Sequence, residues 1–297
     1  MRNYGSMLGN RSTAILSCLL VTSSVTFLYN ATILKYAMVQ LAQTSRKEDG
    51  NYTRKCQIPS LEHRFQFYSF LNIRDYLCQN LKWLGEGDGQ KAVCMDANFK
   101  ISPGDCHVLS FGINNEWSFD DEFARRGCKV YSFDPTMDAE DHQRSPNVQF
   151  FKLGISNIQG TRKVGMGSDF RYCKVDRYEN ILARLNLTDT TISYLKLDIE
   201  LSELEFFQDI FRNSPHLLNN VQQIGVELHH GHMGEGVENP AAERDPMSPV
   251  STFQHFWQYF HELKCHGFKL IHSHPNFIWT EAVWGRIGPP DRRIDTV

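Results

Sequence analysis

The 297-residue sequence lacks an excess of positive charge, because 31 lysines and arginines stand against 34 aspartates and glutamates and the formal net charge is −3. Proteins that bind nucleic acid carry a basic surface, so we expect no nucleic-acid partner. Hydrophobic residues make up 41% of the chain and aromatic residues 12%. These fractions exclude a largely disordered chain. The length allows one large α/β domain or two small ones.

Several motifs of specific chemistry are also missing. The sequence contains no Gly-x-Gly-x-x-Gly and no Gly-Lys-Ser/Thr, so dinucleotide and triphosphate sites lose support. It contains no Cys-x-x-Cys, which argues against a zinc ribbon or a thioredoxin-type site. The late histidines have no recognised ligand spacing, and we predict no metal for them: His229, His230, His232, His272 and His274.

The N-terminal region predicts a targeting segment. Residues 13–34 carry no charge, and this run of 22 residues is long enough to cross a bilayer as a helix. We predict a short tail over 1–12, a transmembrane signal anchor over 13–34, a polar stem over 35–60 and one folded domain over 61–297. A cleaved signal peptide is the alternative to the anchor.

Sequons and cysteines favour a luminal position for the folded domain. Asn51-Tyr52-Thr53 and Asn186-Leu187-Thr188 both fit the N-glycosylation pattern. Seven cysteines follow the predicted span, so several could pair in an oxidising compartment with one odd thiol left over. We therefore predict a single-pass type II membrane protein of the ER or Golgi, with a secreted protein as the alternative.

The remainder of the chain alternates strands with helices. Repeated β-α-β crossovers predict a mostly parallel, doubly wound sheet. Ser118 and Asp121 predict a capping box that begins one helix, and Gly127 ends it. The predicted strands are 107–111, 129–133, 148–153, 192–199 and 223–228, followed by a closing hairpin of 268–272 and 282–287. The predicted helices are 65–84, 118–126, 176–187, 203–212 and 253–266.

Ligands bind such a sheet beyond the carboxyl ends of its strands. The first strand is followed by Gly112, where a glycine lets backbone approach a ligand closely. Asp134 ends the second strand, 22 residues after Gly112. An acidic residue about 20 residues after a glycine turn can accept hydrogen bonds from ribose hydroxyls. The pair therefore indicates a nucleoside-containing ligand.

Acidic residues also end the next two strands. Asp198 and Glu200 point to one face of their strand, about 7 Å apart. They could hold a cofactor amine, a substrate or a divalent metal, or act as acid and base. Glu227 lies within an apolar strand, where an unpaired carboxylate is costly to bury, and His229 follows it. Both are candidate site residues.

The motifs Ser110-Phe111-Gly112-Ile113-Asn114-Asn115-Glu116-Trp117, Phe133-Asp134-Pro135 and Tyr194-Leu195-Lys196-Leu197-Asp198-Ile199-Glu200 carry a resemblance. Over roughly residues 60–290 the chain resembles the methyltransferase-like protein 24 family, which is related to FkbM-type methyltransferases. The resemblance implies a Rossmann-like class I methyltransferase fold, with a mostly parallel seven-stranded sheet and an antiparallel closing hairpin. It also implies S-adenosylmethionine as the cofactor.

The resemblance assigns roles to these residues. The loop Phe111, Gly112, Ile113, Asn114 and Asn115 would face the methionine half of the cofactor, and Asp134 would bind the ribose. Asp198 and Glu200 would lie near the transferred methyl group or its acceptor. FkbM-type relatives act on hydroxyls, so the expected reaction is O-methylation of a glycan or small molecule. Glu200, Glu227 or His229 would serve as the base.

Two departures from the family pattern leave alternatives open. Leu201 and Leu204 stand where the family has glycine and tryptophan, which favours a non-catalytic module that keeps the fold and binds a partner. The other alternative is a Golgi glycosyltransferase that uses Asp198 and Glu200 as metal ligands for a nucleotide sugar. Dependence on manganese would distinguish it.

Overall fold

A computed structural model describes five stretches of the chain, all within one unit, Thr53–Val297: residues 56–164, 170–200, 202–229, 249–276 and 279–289. The predicted tail, span and most of the stem lie outside these residues, as do Asn51, Leu201, His230 and His232. Within the five stretches, no helix has both the length and the hydropathy needed to cross a membrane. The prediction for residues 13–34 therefore stays a prediction.

The described residues contain five α-helices and thirteen strands. The helices are α1 (Arg64–Asn72), α2 (Ser118–Arg125), α3 (Tyr178–Arg184), α4 (Glu203–Asn213) and α5 (Pro249–Cys265). The strands are β1 (Leu81–Leu84), β2 (Lys91–Cys94), β3 (His107–Phe111), β4 (Lys129–Phe133), β5 (His142–Ser145), β6 (Val148–Phe151), β7 (Gly154–Ile155), β8 (Gly160–Val164), β9 (Arg171–Asp176), β10 (Tyr194–Leu197), β11 (Gln223–Leu228), β12 (Phe268–Asn276) and β13 (Trp279–Arg286).

The main sheet has the strand order β12-β13-β11-β10-β3-β4-β6-β5. Its centre, from β11 through β10, β3 and β4 to β6, is parallel, as the crossovers predict. The last two strands, β12 and β13, pair antiparallel. The sheet has one strand more than the predicted seven. The additional strand, β5, is an exposed polar edge strand that turns back antiparallel onto β6 and has no apolar pattern to reveal it.

The predicted helix over 65–84 is wrong in its second half. Helix α1 ends at Asn72, and β1 then pairs antiparallel with β2. The disulfide between Cys78 and Cys94 ties the start of this hairpin to its end. Residues 81–84 therefore pack by cross-strand pairing, a long-range preference that helical spacing does not report. The small sheet β7-β9-β8 was not predicted either.

The capping box predicted for α2 is also wrong. The N-cap residue is Trp117, with no side-chain cap hydrogen bond. The hydroxyl of Ser118 instead donates to Glu116 Oε2 at 2.7 Å and accepts from the backbone N–H of Glu86 at 2.7 Å. It is thus committed to the β1–β2 loop and is not free to cap the helix. Gly127, with φ +87°, ends the helix as predicted.

The largest hydrophobic cluster of the core is rich in aromatic side chains. Four aromatic residues of α5 are buried, as their helical spacing predicts: Phe253, Phe256, Trp257 and Phe260. They pack against Phe67 and Phe70 of α1. The indole N–H of Trp257 also donates to the carbonyl oxygen of Pro59 at 2.6 Å. The end of the predicted stem is thus attached to the core.

Three disulfides link the described cysteines. They are Cys56–Cys265, Cys78–Cys94 and Cys106–Cys128. Cys173 is the odd thiol, and it is buried. The first disulfide holds the N-terminal end of the unit against the last helix, so residues distant in sequence are cross-linked.

Candidate active site

A cleft lies beyond the carboxyl ends of β3, β4 and β10. Counted to its open mouth, it holds about 420 Å³. Five of the predicted site residues help to line it: Phe111, Gly112, Asp134, Asp198 and Glu200. The sheet therefore brings together side chains that were predicted from three separate strand ends.

Gly112 is fixed by backbone geometry. Its φ is +76°, a left-handed value that L-residues other than glycine rarely adopt. A β-carbon at this position would also collide with the carbonyl oxygen of Asp198. Asn114 and Asn115 follow with φ values of +39° and +63°. The absence of a side chain therefore lets the Gly112 loop approach the backbone of Asp198 closely. Both residues line the cleft.

Asp134 holds that loop in place. It is only 4% exposed. Its Oδ2 accepts hydrogen bonds from the backbone N–H groups of Ile113 at 3.1 Å and Asn114 at 2.9 Å. Its Oδ1 accepts from the N–H of Thr136 at 2.8 Å and from the hydroxyl of Thr136 at 2.6 Å. A carboxylate has about four acceptor positions, so a ligand hydroxyl would replace the Thr136 hydroxyl.

Asp198 is held between two lysines. Its Oδ2 lies 3.4 Å from Lys91 Nζ and 3.3 Å from Lys196 Nζ. Lys196 also donates to the carbonyl oxygen of Gly112. Burial favours a protonated Asp198, but the ammonium groups of Lys196 and Lys91 outweigh it and lower the pKa of Asp198. The carboxylate is therefore charged at neutral pH.

Glu200 is the more accessible carboxyl group of the cleft. Its side chain is 44% exposed and its φ is +51°. Burial, followed by repulsion from Asp198 and other carboxylates, raises its pKa to about 7 despite the nearby His229. Glu227 is more deeply buried, and burial together with the Asp198 charge raises its pKa as well. A carboxyl group with a pKa near 7 suits general base catalysis at neutral pH.

His229 is a buried cation. Its Nδ1 lies 2.7 Å from Glu203 Oε1, and its Nε2 lies 3.5 Å from Glu200 Oε2. Burial opposes the charged imidazole, but the carboxylates of Glu203, Glu200 and Asp198 raise the pKa of His229 to about 10. Since an imidazolium cannot accept a proton, His229 is unsuited to be the base that its position predicts. It can stabilise the charged form of Glu200.

Sequence reasoning missed four members of this network: Lys91, Lys196, Glu203 and Glu281. Lys196 could have been found, because a lysine inside a fully buried strand must be paired. Lys91 could not, since strand β2 was not itself predicted and the partners Glu227 and Glu281 are 136 and 190 positions away. Trp117, which follows the Gly112 loop, packs on Phe150.

The remaining predicted residues have different surroundings. Phe111 lines the cleft. Ile113 is buried in a separate apolar cluster with Met137 and Phe150. His272 and His274 pack edge-on against Trp83, and neither is among the residues that line the cleft.

The match to a known family comes from a methyltransferase-domain model, which covers residues 26–283, well over half of the chain. The chain belongs to this methyltransferase family. No curated protein is similar enough to the methyltransferase to count as a relative. Among solved structures, "Putative hemolysin from Streptococcus thermophilus" is similar with 13% identity and a TM-score of 0.36, over 68% of this chain and 73% of that one. A similarity at that TM-score carries no argument.

Proposed function

We propose that this methyltransferase uses S-adenosylmethionine and methylates a hydroxyl group of a glycan or small molecule. The observation that carries the proposal is the cleft itself. The Gly112 loop, its anchor Asp134 and the base candidate Glu200 all line it. Cofactor, acceptor and base would thus meet at one edge of the sheet.

The residues of the cleft fit this cofactor. Asp134 would accept from a ribose hydroxyl in place of the Thr136 hydroxyl, and Leu153, Ile155 and Val175 offer an apolar wall to the adenine ring. Among the described residues that line the cleft, none is lysine or arginine, whereas three are acidic. Asp198 is balanced by Lys91 and Lys196, and Glu200 contacts the His229 imidazole, so the cleft offers no lysine or arginine of its lining to the phosphates of a ligand such as a nucleotide sugar. The cofactor, when bound, supplies an electrophilic methyl group.

Glu200 is the residue we assign as general base. A hydroxyl nucleophile starts protonated, so its proton must be removed as the oxygen attacks. Glu200 is exposed to the cleft and has a pKa near 7. The imidazolium of His229 contacts its Oε2. We assign proton acceptance to Oε1 and ion pairing with His229 to Oε2.

A transfer assay tests this assignment. The full chain, in mild detergent because of the predicted span, is incubated with methyl-labelled S-adenosylmethionine and a panel of hydroxyl-bearing glycans. We expect label in at least one acceptor, and Glu200→Gln lowers the rate about 10²-fold or more. Glu140→Gln is the matched control, since Glu140 is exposed and pairs only with Lys152 among described residues. Equal rates in both variants would exclude Glu200 as the base.

A non-catalytic binding module is the second candidate. It is favoured by Asp134, whose acceptor positions are already filled by the chain itself. Leu201, in place of the family's glycine, is consistent with it. Leu201→Gly separates the two candidates. A gain in cofactor affinity or rate would show that Leu201 limits this site, whereas no gain would remove the Leu201 explanation.

For the cellular location, we propose a type II membrane protein of the ER or Golgi. Three disulfides in the described residues support an oxidising compartment. Asn186 is exposed, as a glycosylation site requires. Removal of N-glycans from the expressed chain should increase its gel mobility, and Asn186→Gln should reduce that shift. A chain with no glycan and free cysteines would contradict the proposal.

A further inference from the structure

Lys91 is a buried cation surrounded by carboxylates. It is 1% exposed. Its Nζ lies 3.4 Å from Asp198 Oδ2, 3.4 Å from Glu227 Oε2 and 2.5 Å from Glu281 Oε1. It also donates to the backbone carbonyl of Asp88 at 3.0 Å. Every donor of the ammonium group therefore has an acceptor within the protein.

Lys91 belongs to the β1–β2 hairpin, whereas its carboxylate partners end or occupy strands of the main sheet. A lysine is almost never fully buried unless it is paired. An apolar side chain would dock the hairpin without that desolvation penalty. Attachment of the β1–β2 hairpin to the main sheet therefore does not explain why a charged side chain lies between Asp198 and Glu227.

The same place has the donor set of a metal site. One ligand atom each from Asp198, Glu227 and His229 lies within 4.8 Å of the other two. Glu203 accepts a hydrogen bond from the other imidazole nitrogen of His229, which is the support that metal-binding histidines usually have. Two carboxylates and a neutral imidazole suit Mn²⁺ or Zn²⁺, so a bound metal would displace the second proton of His229. Lys91, however, already places a positive charge against both carboxylates.

We propose that Lys91 takes the place of a divalent cation in this site. Its ammonium group neutralises and positions Asp198 and Glu227, so that methyl transfer by this chain needs no metal. Metal-independent methyl transfer rests on the proposed function. The role of Lys91 as the counter-charge of Asp198 and Glu227 does not, because it follows from the ion pairs and the ligand set. Lys91 is a positioning residue, because it acts through Asp198 at the wall of the cleft.

Metal titration of Lys91→Met tests the cation position. Mn²⁺ and Zn²⁺ are each titrated into the full chain by calorimetry, and Tm is measured at each concentration. We expect weak, non-saturating binding by the wild type, binding at least tenfold tighter by Lys91→Met, and a rise in Tm of that variant alone. Lys129→Met is the matched control, because Lys129 is exposed and the hydrogen bonds of its side-chain ammonium group among described residues go to Pro146 and Asn147.

The rate supplies a readout that a merely structural role would not change. Mn²⁺ or Zn²⁺ should restore methyl transfer to Lys91→Met and leave the wild-type rate unchanged. Micromolar binding by the wild type that is lost in His229→Ala would overturn the proposal, as would equally weak binding by wild type and Lys91→Met. If Lys91→Met does not fold, the double variant with Glu281→Gln removes the closest unbalanced charge and leaves the ligand set intact.

The proposed function can fail separately. In one outcome, the wild type binds neither S-adenosylmethionine nor metal, whereas Lys91→Met binds metal. This outcome would refute the cofactor assignment and support the role of Lys91 as the cation of this site. Wild type that transfers methyl groups only with added Mn²⁺ or Zn²⁺ supports the enzyme and refutes the role of Lys91.

Discussion

Gly112→Ala should damage the fold and the cleft together. Position 112 has a φ of +76°, and a β-carbon there would collide with the carbonyl oxygen of Asp198. The left-handed backbone costs an L-residue about 1–2 kcal/mol. Displacing a packed neighbour adds about 1–3 kcal/mol. The displaced neighbour is Asp198, which lines the cleft. Cofactor affinity should therefore decrease together with the free energy of unfolding.

Gly104→Ala is the control for backbone conformation. Its φ is +82°, and its added β-carbon would meet nothing within 4 Å. In a domain of this size, 1 kcal/mol corresponds to about 2–4 °C in Tm. We expect Gly104→Ala to lower Tm by about 2–8 °C. Gly112→Ala should show a further decrease of about 2–12 °C.

Thermal denaturation and calorimetric titration with S-adenosylmethionine measure both effects. Gly104→Ala should bind the cofactor as wild type does. Equal decreases of Tm in the two variants would show that the Asp198 carbonyl yields without cost, and the steric reasoning would be refuted. Full cofactor affinity in Gly112→Ala would refute the link between this glycine and the cleft.

Three further predictions concern pH, a disulfide and a buried lysine. The rate of methyl transfer should rise as pH increases through about 7, because burial raises the pKa of Glu200 and only the carboxylate form accepts a proton. Glu200→Gln should abolish this rise in the pH–rate profile. Replacing Cys106 and Cys128 by alanine removes a disulfide that spans 22 positions and should lower Tm in denaturation scans, since it costs about 3 kcal/mol; an unchanged Tm would contradict this. Lys196→Met leaves the Asp198 carboxylate with one lysine fewer, so denaturant unfolding should show a loss of up to about 3–5 kcal/mol, and a neutral effect would refute the pairing.

Much of the central sheet could be predicted from local sequence. The bounds of β3, β4 and β11 match their predictions residue for residue. Each is a short apolar run, and β3 and β4 end directly before Gly112 and before Asp134-Pro135. Gly112 and Asp134 could be predicted to lie together, since the carboxyl ends of neighbouring parallel strands meet at one edge.

The rest depends on contacts between distant parts of the chain. Strand β1 looks helical in sequence because its pairing with β2 is not visible in apolar spacing. The charge state of His229 is set by Glu203 and Glu200, which reach it from other elements. Lys91 has no local signal at all, because its function as a counter-charge exists only once three strand ends have been assembled.

Cofactor binding tests the central claim most directly. S-adenosylmethionine and its demethylated product are titrated by calorimetry into the full chain and into Asp134→Asn. Asp138→Asn is the control, because the Asp138 side chain is 97% exposed. We predict micromolar binding by wild type and control, and at least tenfold weaker binding by Asp134→Asn, since a hydrogen bond to a charged group contributes about 1.5–3 kcal/mol. No binding by folded wild type, or equal binding by all three proteins, would contradict the account.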